Sequence, residues 1–131
     1  MMRIAISLAA GAALLAGCAQ LDARAADRNT VAEAKAVGDP EDCVLLRGIR
    51  STRVRDDRTI DFQMINGDVM RNTLPNQCPG LGFDRAFSYN TSLSRLCSVD
   101  TITVVESSAA ARRGATCGLG KFQKVELPGT R

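Results

Sequence analysis

Asn66-Gly67 is the dipeptide that most restricts what this chain can fold into. A two-residue type I′ hairpin turn needs positive φ at both central positions, and Asn followed by Gly tolerates that best. On the N-terminal side, Ile60, Phe62 and Met64 alternate with Asp61 and Gln63. A period of two gives a half-buried strand one apolar face and one wet face. On the other side, Met70, Asn72 and Leu74 alternate with Val69, Arg71 and Thr73. An earlier polar turn, Asp56-Asp57-Arg58, follows a strand over 49–55. Residues 49–74 therefore read as a three-stranded antiparallel meander.

The remainder adds more short strands. Residues 75–80 (PNQCPG) form a loop by composition. Phe87 and Tyr89 alternate with polar neighbours and suggest a strand over 85–89. Residues 92–97 fit a turn or short helix, with Leu93 and Leu96 three apart. Residues 101–105 (TITVV) are the most β-prone run in the chain. A small polar loop spans 107–114, and the last strand runs over 122–127. Gly118-Leu119-Gly120, just before it, marks a bulge or tight corner. The expected fold is all-β: a small antiparallel barrel or sandwich of about six short strands.

The N-terminus reads as an address rather than as part of the fold. Arg3 supplies a positive start, and an apolar run follows over 4–15. A membrane-spanning helix needs about 20 apolar residues, so this run is too short to be one. It ends in Leu15-Ala16-Gly17-Cys18, which resembles the lipobox of bacterial lipoproteins. The resemblance implies a signal peptide over 1–17 and a lipid on Cys18, the new N-terminus after cleavage. Acyl chains contribute about 0.8 kcal/mol per buried CH₂, so two or more anchor a protein stably. Ala19 rather than Asp follows Cys18. Within that family this implies the outer membrane, on its periplasmic side. Residues 18–40 are Ala-rich and charged and read as a flexible tether. Thr30, Glu33 and Gly38 could cap a short helix through Val37 within it. The folded domain is then 41–131.

An export signal places the domain where disulfides form. Setting Cys18 aside, Cys43, Cys78, Cys97 and Cys117 remain, an even number that fits two bridges. Three connectivities are open on sequence grounds. Cys78–Cys97 with Cys43–Cys117 is the preferred reading, the first closing the irregular middle and the second joining the domain's ends. A zinc site fits poorly, because the cysteines are far apart in sequence, no CxxC occurs and the chain has no His.

The blocks RSTRVRDDRTIDF, RNTLPNQCPGLGF, FSYNTSLSRLCSVD and TCGLGKF resemble a group of small exported proteobacterial proteins that share a domain of unknown function. The resemblance covers about Cys43 to Phe122 and implies an exported, disulfide-bonded domain. It implies no activity.

Charge and residue types narrow the function classes. Without residues 1–17 the chain loses Arg3 and keeps 16 basic against 14 acidic side chains. Near-neutrality argues against a nucleic-acid partner. With no His, neither a Ser-His-Asp triad nor Cys-His chemistry can be built. Asp56, Asp57 and Asp61 cluster without the D-x-D-x-D-G spacing of a calcium loop, so no cofactor or metal is expected. Arg47, Arg50, Arg53, Arg55, Arg58 and Arg71 concentrate on the meander. Arg50, Arg53, Arg55 and Arg71 are candidate anion-binding residues, because guanidinium grips phosphate bidentately. The bland alternative is a solvated sheet face with these arginines paired to Asp56, Asp57, Asp61 and Asp68. The expected function is a non-catalytic binding or structural module, held to the membrane through its lipid, with an envelope protein partner. The alternatives are a module for anionic lipid or lipopolysaccharide, and an enzyme inhibitor or cell-wall-associated enzyme.

Overall fold

The computed structural model describes residues 31, 33–108, 110 and 112–129. The expected signal peptide, Cys18 and most of the expected tether lie outside the described residues. Within them the chain forms ten strands: β1 Lys35–Ala36, β2 Cys43–Leu45, β3 Ile49–Val54, β4 Thr59–Met64, β5 Val69–Thr73, β6 Phe87–Asn90, β7 Arg95–Cys97, β8 Thr101–Val105, β9 Arg113–Gly118 and β10 Phe122–Glu126. A 3₁₀ turn at Leu46–Gly48 and a four-residue helix, α1, at Leu81–Asp84 lie between the strands. All pairings are antiparallel. Three sheets result, ordered β1-β10-β5-β4-β3, β6-β8-β9 and β2-β7. None closes on itself.

The meander forms as its alternation predicts. Ile60 and Phe62 are fully buried and pair with Asn72 and Met70. Phe62 meets Phe122 of β10 edge-on, ring centroids 5.4 Å apart. It also meets Phe87 of the three-stranded sheet at 6.3 Å. The two sheets thus face each other across one core, which also takes Val44, Leu96, Ile102 and Val104. T-shaped aromatic pairs of this kind add about 0.5–1.5 kcal/mol beyond their burial.

The hairpin turn differs in type from the expected one. Only Gly67 has positive φ (92°); Asn66 does not. The Gly67 N–H donates to the Met64 carbonyl (3.0 Å), and the Met64 N–H donates to the Asp68 carbonyl (2.8 Å). That is a three-residue loop with a glycine bulge. Asn66 contributes through its side chain: its Oδ1 accepts from the Asp68 N–H at 2.9 Å. An Asx turn replaces the second left-handed residue.

The disulfides are Cys43–Cys97 and Cys78–Cys117, not the expected Cys78–Cys97 and Cys43–Cys117. The reason is that residues 95–97 are a strand rather than a turn or helix. β7 pairs with β2, so Cys43 and Cys97 stand directly opposite each other. Cys78, fully buried, is left to reach Cys117 on β9. With sequence separations of 54 and 39, each bridge removes about 4 kcal/mol of unfolded-state entropy.

Paired structure is present before residue 41 as well. Val31 and Glu33 are helical, and β1 already pairs with β10, so no helix continues through Val37.

Candidate functional site

The four candidate arginines divide into two kinds. Asp61 lies directly opposite both Arg53 on β3 and Arg71 on β5. It is not on a wet face: its side chain is 0% exposed. Arg55 Nε donates to Asp61 Oδ2 at 2.8 Å. Arg71 grips the same carboxylate with Nε to Oδ1 at 2.7 Å and Nη2 to Oδ2 at 2.9 Å. Its remaining arm donates to the Val31 carbonyl at 2.9 Å, pinning the start of the described chain to the sheet. Arg55 and Arg71 are both buried and both hold Asp61, which makes them part of the sheet's architecture rather than of an exposed surface. Breaking one partner of such a cluster strands a buried charge, which fixes its role as architecture. Arg50 and Arg53 are exposed on β3, at one edge of the five-stranded sheet. A register shift falls between Ile49 and Ser51. A bulge and charges on an edge strand blunt it against pairing with other chains.

The other acidic residues have structural tasks as well. Asp56 Oδ1 accepts from the Arg58 N–H at 2.8 Å. Asp57 Oδ1 accepts from the Gly82 N–H at 2.7 Å and its carbonyl from the Cys78 N–H at 2.7 Å. Asp68 pairs with Lys124 at 2.9 Å. Arg58 spends Nε on the Leu74 carbonyl (2.7 Å). Among the described residues, no three His, Cys, Asp or Glu side chains converge as a metal would need.

A groove of about 400 Å³ lies between the hairpin tip and β2. Val44, Leu45, Met64, Ile65 and Met70 supply its apolar wall, with Arg95, Glu41 and Asp68 at its polar margin. Gly48 leaves room here, since a Cβ at that position would sit 3.1 Å from the Met64 terminal methyl. Ile65 is 68% exposed and Leu45 38%. The two are 20 positions apart in the chain. Sequence reasoning missed this surface because β2 and β7 are only three residues long and carry no readable period. The one available signal was Ile65, an apolar side chain placed beside a turn.

No family model, curated protein or solved structure matches this chain.

The groove is open, partly apolar and rimmed by charges of both signs, which suits contact with an amphipathic ligand or peptide. Methionine walls adapt to varied shapes. No buried side-chain nitrogen or oxygen lacks a hydrogen-bond partner among the described residues. The polar interior is therefore committed to holding the fold.

Proposed function

We propose that this chain is a lipid-anchored envelope protein whose β domain is a non-catalytic binding module, with the groove between Leu45 and Ile65 as its contact surface. The observation that carries the binding role is that groove. It gathers exposed apolar side chains on a domain whose buried charges are already spent on architecture. The address rests on the lipobox resemblance at Leu15-Ala16-Gly17-Cys18, on Ala19, and on two disulfides, which suit an oxidising compartment. No helix among the described residues is long and apolar enough to cross a membrane, so the lipid on Cys18 would supply the anchor.

Two measurements test this. The intact mass of the membrane-extracted protein should show a diacylglyceryl-modified Cys18, and an unmodified thiol there would end the anchored reading. A photo-crosslinking residue at Ile65 in intact cells should trap a reproducible envelope partner, while one at the exposed Thr116 on β9 should not. Equal yields at both positions would remove the groove from the proposal.

A narrower form of the anionic-lipid alternative remains, resting on the exposed Arg47, Arg50 and Arg53. It predicts salt-dependent binding to anionic vesicles, lost in the variant Arg50→Ser with Arg53→Ser. Vesicle binding unchanged by that pair would dispose of it.

A further inference from the structure

The two disulfides sit in different mechanical settings. Cys78 lies in the loop before α1 and meets Cys117 with their Cα atoms 5.8 Å apart, and no strand ladder joins the two residues. Cys43 and Cys97 are opposite members of the β2–β7 ladder, Cα atoms 4.0 Å apart. The hydrogen bonds fix which kind of pair this is. The Ser98 N–H donates to the Asp42 carbonyl at 2.8 Å, and the Leu46 N–H donates to the Ser94 carbonyl at 3.0 Å. Alternation along an antiparallel ladder then makes Cys43 and Cys97 a non-hydrogen-bonded pair, the position where facing backbones come closest. Relaxed bridges have Cα atoms about 4.4–6.8 Å apart, and a bridge outside that range is more reducible. Access adds to this. Cys43, Cys97 and Cys117 are all half-buried and Cys78 is 0% exposed, so the Cys43–Cys97 bridge offers two reachable sulfurs, one of them at the open groove, and Cys78–Cys117 offers one.

We infer that the Cys43–Cys97 bridge is a thiol-exchange site, opened by a dithiol reductant while Cys78–Cys117 stays closed. In the exchange, a thiolate of the dithiol attacks one sulfur of the bridge. A mixed disulfide forms and the other cysteine leaves as thiolate. The second thiol of the reductant, as its thiolate, then displaces the first cysteine. The reductant leaves as a cyclic or intramolecular disulfide, two electrons pass to the protein, and Cys43 and Cys97 take up protons to become thiols. A two-stranded ribbon is marginal by itself. Opening the bridge therefore loosens β2 and β7, which carry Cys43, Val44, Leu45 and Arg95 of the groove wall. The exchange chemistry stands whether or not the groove binds a partner.

The test uses the folded mature protein and dithiothreitol as the dithiol. Samples are quenched with iodoacetamide over time, and peptide mass spectrometry reads each cysteine. The expected result is that Cys43 and Cys97 become alkylated together, at least about tenfold faster than Cys78 and Cys117. Equal rates, or earlier opening of Cys78–Cys117, would overturn the inference.

Discussion

Two glycines are required for opposite reasons, and this separates strain from space at single residues. Gly67 has open room around its Cα and a φ of 92°. Gly67→Ala should therefore cost about 1–2 kcal/mol from backbone conformation alone. Gly67→Asn should cost less, because Asn tolerates the left-handed region. Gly120 lies in no such region, but a Cβ there would overlap the Thr73 carbonyl oxygen. It approaches so closely because the Asn72 side chain pairs with its backbone both ways. Nδ2 donates to the Gly120 carbonyl at 2.7 Å, and the Gly120 N–H donates to Oδ1 at 2.8 Å. Gly120→Ala should cost about 3 kcal/mol or more in urea unfolding, with no relief from any longer side chain. Asp61 is the third decisive residue. Asp61→Asn should cost about 3–5 kcal/mol, since it leaves two buried guanidinium groups against a neutral amide. The triple change Arg55→Met, Asp61→Leu, Arg71→Met should recover most of that loss, and thermal melts of the two variants check the contrast.

The elements show which features were readable from sequence and which were not. The meander was legible because Ile60, Phe62 and Met64 on β4 keep a period of two, which Met70 and Asn72 on β5 and Leu74 just after it continue less cleanly. The same period misled at Asp61: alternation assigns a residue to a face, and it does not say whether that face meets water. Here the outer face is covered where Arg71 reaches the Val31 carbonyl. β2 and β7 were illegible because three residues cannot display a period, and missing them reversed the disulfide assignment. The groove was equally hidden, since its two walls come from segments 20 residues apart that meet where the β3–β4 ladder ends and the Ile65 N–H donates to the Gly48 carbonyl at 2.8 Å. A test at this scale is Ile65→Asp. With its side chain 68% exposed, the melting temperature should stay within a few degrees, while partner crosslinking from the groove should fall. A large loss of stability would show that Ile65 is core rather than contact surface.

At the scale of the whole molecule, the strand order has a kinetic consequence. β10, the last strand in the described chain, lies inside its sheet, between β1 and β5. It also carries Phe122, which the buried Phe62 meets edge-on. A chain delivered from its N-terminus thus holds nearly all of the sheet's strands before it receives the one that joins them. Contacts between segments so far apart in sequence make folding slow and late. A nascent chain halted after Gly118 should remain protease-sensitive, and extension through Glu126 should bring protection in a single step. During synthesis the polypeptide would stay threadable until β10 is delivered, a delay written into the order of its strands.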